Sequence, residues 1–360
     1  MMEVTFHDRE REIKEIMDVL RVKPRLITFI YGPINSGKTE LISHLIEQLP
    51  EGYTVFYINL RTKFLASYDD FIESLFEMEM ETDETKRRRR ETLAELVSSV
   101  TKITGIPITR EFIDYVFKDK KPKNAFSYII KLFEEVKNSG KQPVLVLDEL
   151  QKIGDVNVNG PLIYELFNFF IDLTKELHLA HVFVATSDSL FIEDVYNEAM
   201  LYGRSRHILV DDFDYATTID LLDKYGFGYE EKELAWRYCG GKPVYLVELI
   251  DTKINNESVE EKAQEMFEAR KSQIRMVINE LRLIGGELEY KGKKEEIAEE
   301  RVIDAIMPFS DAECKIYEML SIEEIYLVKK NILFVDVVHS VVKPQSNLDL
   351  LAVQEVIKNV

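Results

Sequence analysis

Gly32-Pro33-Ile34-Asn35-Ser36-Gly37-Lys38-Thr39 is the stretch that decides how this chain folds. The octet fits G-x-x-x-x-G-K-[ST] without departure, and its context suits the pattern. The apolar run LITFIYG (26–32) enters it as a strand, and TELISHLIEQL (39–49) leaves it with amphipathic helical spacing. A polyphosphate needs many donors in a small concave space. Backbone N–H groups supply them only where side chains stay clear, which Gly32 and Gly37 permit, and a helix N-terminus adds its positive end. Pro33, Ile34, Asn35 and Ser36 complete the cradle. Lys38 would reach the β- and γ-phosphates as a mobile point charge, and the Thr39 hydroxyl suits Mg²⁺. The octet is expected to hold a nucleotide.

A second stretch supports it. Pro143-Val144-Leu145-Val146-Leu147-Asp148-Glu149 is an apolar strand ending in two carboxylates. Asp148 would stand at the strand's C-terminal edge, where the metal of such a sheet sits. Glu149 is placed to polarise a water attacking the γ-phosphate. Transfer to a bound acceptor needs no such second acid, so the pair favours hydrolysis and an ATPase.

Further apolar runs, YTVFYINL (53–60), AHVFVATSDS (180–189) and RHILVDDF (206–213), alternate with helical stretches at 68–80, 91–103, 124–138 and 161–177. That alternation predicts a parallel sheet covered on both faces. After about residue 214 the signals turn helical, with 256–285 one or two charged helices and 285–294 a hinge or turn. The final stretch reads as three helices, a hairpin over 332–344 and a terminal helix, the element order of a winged-helix domain. With 360 residues, two or three domains are expected.

Hydrophobic content of 46% excludes a disordered chain, and a net charge of −19 argues against indiscriminate coating of nucleic acid. Cys239 and Cys314 lie far apart, which fits a reducing cytosol rather than a disulfide framework or zinc site. The N-terminus is charged within three residues, unlike a signal peptide. No apolar run approaches the roughly 20 residues that cross a bilayer. A cytoplasmic protein is expected.

Five smaller motifs fall in order: Phe6-His7-Asp8-Arg9-Glu10-Arg11-Glu12, Asp148-Glu149-Leu150-Gln151-Lys152, Val184-Ala185-Thr186-Ser187-Asp188-Ser189, Tyr202-Gly203-Arg204-Ser205-Arg206 and Gly240-Gly241-Lys242-Pro243. With the phosphate loop they resemble the archaeal ATPase family of the AAA+/STAND P-loop NTPases. They match its N-terminal box, its extended second motif (Leu150 replacing the usual aromatic), its sensor strand, its GR box and its lid turn. The resemblance implies an α/β fold, with an AAA+-like P-loop NTPase parallel sheet, a helical lid and a C-terminal winged-helix domain. It divides the chain into a core over 1–213 with a helical insertion at 61–138, a lid over 214–285 and a winged helix over 286–360.

The resemblance also implies roles, each beside a plainer alternative. Thr186 or Ser187 would sense the γ-phosphate, or merely cap the next helix. Arg204 and Arg206 would stabilise transition-state charge, in cis or from a neighbouring subunit, or pair with Asp211 and Asp212. Phe6 and Arg9 would wall the adenine pocket, or start a helix with a hydrophobic staple. Gly241 and Pro243 would lie near the base, or form only a helix-breaking turn. The expected cofactors are ATP or ADP with Mg²⁺.

For partners, the run Lys86-Arg87-Arg88-Arg89-Arg90 sits among acids and reads as a solvated helix in the 61–138 insertion. The presumed recognition helix (321–331) carries Glu323 and Glu324 where a groove would be entered, with Lys329, Lys330 and Lys343 nearby. A protein partner, through the tail or the insertion, is therefore favoured over DNA. Oligomers fit the arginine role. The expectation is an Mg²⁺-dependent ATPase working as a switch; the alternatives are a non-hydrolysing nucleotide-binding module and a DNA-binding, initiator-like or mobile-element protein.

Overall fold

Six parallel strands form the central sheet: β1 (Ile27–Tyr31), β2 (Tyr53–Asn59), β3 (Lys102–Thr104), β4 (Gln142–Asp148), β5 (His181–Thr186) and β6 (Ser205–Leu209), in the order β3-β2-β4-β5-β1-β6. The structure, a computed structural model, describes residues 4–61, 63, 65, 67–76, 102–108, 112, 115–116, 122–153, 162–198 and 201–358. Strand side chains alternate between the faces with period two. Ile30, Val144, Val146, Phe183 and Ala185 pack against α1 (Glu10–Leu20) and α2 (Lys38–Gln48). Phe29, Tyr31, Leu145, Leu147, Val182 and Val184 point the other way, into a core with helices over Pro122–Asn138 and Leu162–Ile171. Both faces are covered, so the strands read as continuous apolar runs.

β3 corrects the sequence reading. Residues 102–104 extend the sheet beside β2, inside the span expected as a helical insertion and at the end of the helical stretch expected over 91–103. Ile103 and Thr104 are β-branched, which suits an edge strand. The basic run 86–90 lies outside the described residues.

Beyond β6 come three shorter helices, Tyr215–Lys224, Tyr229–Cys239 and Pro243–Ile254, then one helix of 26 residues, Val259–Ile284. The first three build an apolar core with the start of the long helix; its second half, through Ile274, Ile278 and Leu281, packs into the core of the tail. The long helix therefore joins the two.

The tail departs from expectation in three places. The region expected as a hinge or turn, 285–294, turns at Lys291-Gly292 within a hairpin, Gly286–Tyr290 against Lys293–Ile297. Lys291 and Gly292 both have positive φ (50° and 72°), as a two-residue hairpin turn of the primed type requires. Only two α-helices, Glu299–Ile306 and Ile322–Lys329, precede the C-terminal hairpin of the described tail, with a 3-10 turn at Met307–Ser310 where Pro308 breaks the α pattern. Strands Leu333–Asp336 and Val341–Pro344 pair antiparallel, and Lys315–Ile316 adds a short third strand. Helix Ile322–Lys329 is buried from Glu323 to Val328, with Glu323 6% and Glu324 2% exposed. Glu324 closes a capping box with Ser321 and binds Lys315 at 2.5 Å, while Glu323 reaches Arg301 at 3.3 Å. These acids face inward, so they neither enter nor repel a groove.

Arg206 pairs in register with Thr28, and the Arg204 carbonyl accepts from the Ile27 N–H. Both stand where β1 begins, at the sheet edge opposite the phosphate loop. There Arg206 faces His181, whose pKa is pushed down to about 4, mainly by burial and then by that guanidinium. An unfolded imidazole protonates near 6.5, so the native state loses stability as pH falls from 6.5 to about 4. The full linkage is on the order of 3 kcal/mol. Thermal melts of wild type and His181→Gln over that range should show a shallower acid slope in the variant; parallel slopes would contradict a buried neutral His181.

Candidate nucleotide site

The phosphate loop leaves β1 at the carboxyl edge of the sheet, next to the ends of β5 and β6. Close approach explains Gly32. A Cβ there would lie 2.0 Å from the Val210 carbonyl oxygen, in the backbone that pairs with Tyr31. Asn35 and Gly37 take positive φ (60° and 89°), turning the loop so that α2 starts at Lys38. The Lys38 ammonium is folded onto its own loop, donating to the carbonyls of Pro33 (2.8 Å) and Gly32 (3.1 Å). Burial lowers its pKa to about 8, and the nearby Lys242 pushes the same way.

Asp148 meets the loop directly, and Glu149 lines the cavity beside it. Asp148 Oδ2 accepts from Thr39 Oγ1 at 2.8 Å and from Tyr57 Oη at 3.0 Å. Glu149 is left-handed (φ 62°), with its N–H held by the Ala185 carbonyl. Its Oε2 accepts from Gln151 Nε2 at 2.7 Å, and Gln151 Oε1 accepts from Thr186 Oγ1 at 2.7 Å. Ser187 Oγ lies 3.5 Å from Gln151 Nε2. Gln151 thus joins the second acid to the end of β5. Leu150, in the place of an aromatic, turns into the core.

A cavity of about 850 Å³ opens above the loop, large enough for a nucleotide. Ile34 to Thr39, Arg61, Glu149 and Ser187 line it, together with Phe6, Arg9, Phe213 and Pro243. Phe6 stacks on His44 with ring centroids 3.8 Å apart. Arg9, 5% exposed, donates to the Ser36 carbonyl at 2.8 Å, pairs with Glu12 and lies 4.4 Å over the Phe213 ring. It braces the loop as well as lining the cavity. Gly241 sits behind the wall, where a Cβ would lie 1.7 Å from the Phe213 carbonyl oxygen. Arg204 and Arg206 are not brought to this site. Their register at the far end of β1 removes them from it within one chain.

Two contacts were not legible beforehand. Lys242, 2% exposed, pairs with Asp212 at 2.8 Å and donates to the Ile34 carbonyl at 3.1 Å. From the tail, Gln345 Oε1 accepts from the Ile34 N–H at 3.0 Å, while its Nε2 donates to the Leu333 carbonyl. Around it, Lys343 pairs with Asp211 at 2.6 Å and Tyr31 Oη donates to Asp336 Oδ1 at 2.8 Å. One residue of the phosphate loop is therefore held from the lid through its C=O and from the tail through its N–H. Lys242 stood within the Gly-Gly-Lys-Pro turn, a signal that was available; Gln345 had none.

Comparison with known proteins agrees with this architecture. Residues 6–249 match the model of an ATPase domain predominantly from Archaea, and residues 260–357 match the MJ1010-like ATP-binding protein C-terminal domain. An ATP-binding protein of Methanocaldococcus jannaschii is 46% identical, covering 99% of this chain and 98% of that protein. One from Pyrococcus abyssi is 46% identical, covering 98% of each. Among solved structures, a Walker-type ATPase of Pyrococcus abyssi superposes with a TM-score of 0.65 at 16% identity, covering 97% of this chain and 96% of that one, a likeness of fold. With its parallel sheet, phosphate loop and helical elements after β6, the chain has the AAA+-like P-loop fold and belongs to the archaeal ATPase family.

Proposed function

We propose that the chain binds ATP with Mg²⁺ and hydrolyses it, as a cytoplasmic switch whose lid and tail respond to the nucleotide. The observation that carries hydrolysis is the connected line from Glu149 through Gln151 to Thr186 at the mouth of the phosphate loop. Thr39 and Asp148 offer hard oxygen donors side by side, the set Mg²⁺ prefers, and either can act directly or through water. Mg²⁺ bound there would neutralise charge on the phosphate oxygens.

The chain's own residues do the rest. Asn35 to Thr39 present N–H groups to the phosphates, and Lys38 leaves its loop carbonyls for phosphate oxygens. Glu149, aimed by Gln151, orients a water. The water oxygen bonds to the γ-phosphorus as the bond to the β–γ bridging oxygen breaks. The electron pair leaves on ADP, and the water's proton passes to Glu149 or to phosphate. Thr186 and Ser187 lie where loss of the γ-phosphate would be felt. Phe6, Arg9 and Pro243 wall the base end.

The switch reading rests on the double hold of Ile34. A loop that shifts with its phosphates strains or frees Gln345 and Lys242, and so moves tail and lid, each a packed body. This supports a division at 1–213, 214–285 and 286–360, with a winged-helix-type tail, and an oligomer would be one way to supply an arginine in trans. A protein partner, on the tail or the 61–138 segment, suits it better than DNA. Helix Ile322–Lys329 is buried, and Lys343 is engaged by Asp211.

Steady-state hydrolysis with Mg²⁺ tests the chemistry. Glu149→Gln should lower kcat by at least about 100-fold while ATP still binds; equal turnover in the two proteins, or binding without any wild-type turnover, would remove the reading. Gln151→Ala should lower kcat with unchanged ATP affinity, since it only aims Glu149; an unchanged kcat would contradict that. Gln345→Ala should alter kcat or ATP affinity although Gln345 lies outside the cavity, and identical kinetics would remove the tail from the mechanism.

A further inference from the structure

The cavity end that would hold the γ-phosphate has one arginine not identified by any motif. β2 and β4 pair in register so that Asn59 faces Asp148. The Leu60 N–H donates to the Asp148 carbonyl at 3.0 Å, and the Arg61 N–H donates to Asn59 Oδ1 at 2.8 Å. These bonds fix the backbone of Arg61 beside the strand end that carries Asp148 and Glu149. Arg61 lines the same cavity as Lys38, Thr39, Glu149 and Ser187.

Two arginines line that cavity, and they differ in engagement. Arg9 is committed to the Ser36 carbonyl, Glu12 and the Phe213 ring. Arg61 is exposed, and its guanidinium has no carboxylate partner among the described residues. In a chain with 65 acids against 46 lysines and arginines, an arginine beside a phosphate loop with no acid partner among the described residues stands out. Arg204 and Arg206 are at the opposite edge of the sheet, so within one chain neither can take this place.

We infer that Arg61 is the guanidinium that contacts the γ-phosphate of a bound nucleoside triphosphate in cis. The inference rests on the ATP-site reading above and adds a residue to it. A guanidinium fork can bond two phosphate oxygens at once, which a lysine ammonium does not reproduce. As water attacks phosphorus and the bridging bond breaks, charge shifts among the γ-oxygens and onto the leaving ADP oxygen. Arg61 stabilises that charge without giving up its proton. A diphosphate offers it no γ-oxygen, so Arg61 also discriminates ATP from ADP.

The test is calorimetric binding of ATP and ADP, with Mg²⁺, to Arg61→Ala and Arg61→Lys in the Glu149→Gln background, which prevents turnover during titration. Arg61→Ala should weaken ATP about 10-fold or more and leave ADP nearly unchanged, with Arg61→Lys recovering part of the ATP affinity. With Glu149 intact, Arg61→Ala should lower kcat by about 10²-fold or more. Equal weakening of both nucleotides would make Arg61 a structural residue and overturn the inference, as would ATP binding that does not change. If wild type binds ATP but never hydrolyses it, the hydrolysis reading fails while the ATP-to-ADP ratio still decides for or against Arg61. If wild type binds neither nucleotide, both readings fall together.

Discussion

The ammonium of Lys242 lies beneath the phosphate loop with almost no access to solvent. A buried cation is tolerated only where it is paired and hydrogen-bonded, and here the partners are the Asp212 carboxylate, just past β6, and the Ile34 carbonyl. That one group ties three elements together. The sheet edge, the loop and the helix beginning at Pro243 cannot move apart without stranding a charge. Gly241 permits the close approach, because any side chain there would strike the Phe213 carbonyl. Gln345 adds the fourth element by taking the N–H of the same residue whose C=O Lys242 holds.

This joint gives the loop an unusual position between two bodies. A glycine-rich loop that binds phosphate must adjust when its load changes, and Lys38, folded onto the Gly32 and Pro33 carbonyls, must swing away for a triphosphate. In the proposed switch, lid and tail would read that adjustment through ordinary hydrogen bonds of about 3 Å rather than through a long relay. The 26-residue helix Val259–Ile284 shares its apolar face between lid core and tail core, so a shift in one is carried to the other through packed side chains.

Much of the fold was legible because the sheet strands are buried on both faces and read as apolar runs, and the loop octet leaves little freedom. Thr39 and Asp148, both singled out from the same motifs, hydrogen-bond to each other. What escaped had weaker local signals. β3 is three residues at an edge, too short to carry a period. The hairpin at Lys291-Gly292 was hidden by charged strands, KKEEI and GELEY, whose covered side shows only Ile297 on one and Leu288 and Tyr290 on the other. Glu323 and Glu324 read as solvent-facing acids because burial of a carboxylate depends on a partner, Arg301 or Lys315, that no spacing rule supplies. For Arg204 and Arg206 cis and trans roles were both open, because a motif fixes order along the chain, whereas the register of β6 on β1 sets which edge they occupy and removes the cis role.

The most direct measurement of coupling between phosphate loop and tail is amide hydrogen exchange over residues 332–346, in protein saturated with ATP under non-hydrolysing conditions and again with ADP. A tail held through Ile34 should differ in protection between the two states, most strongly around Gln345 and Leu333. Identical exchange in this segment, with the phosphate loop itself protected by both nucleotides, would contradict the coupling and leave the tail a passive neighbour of the site.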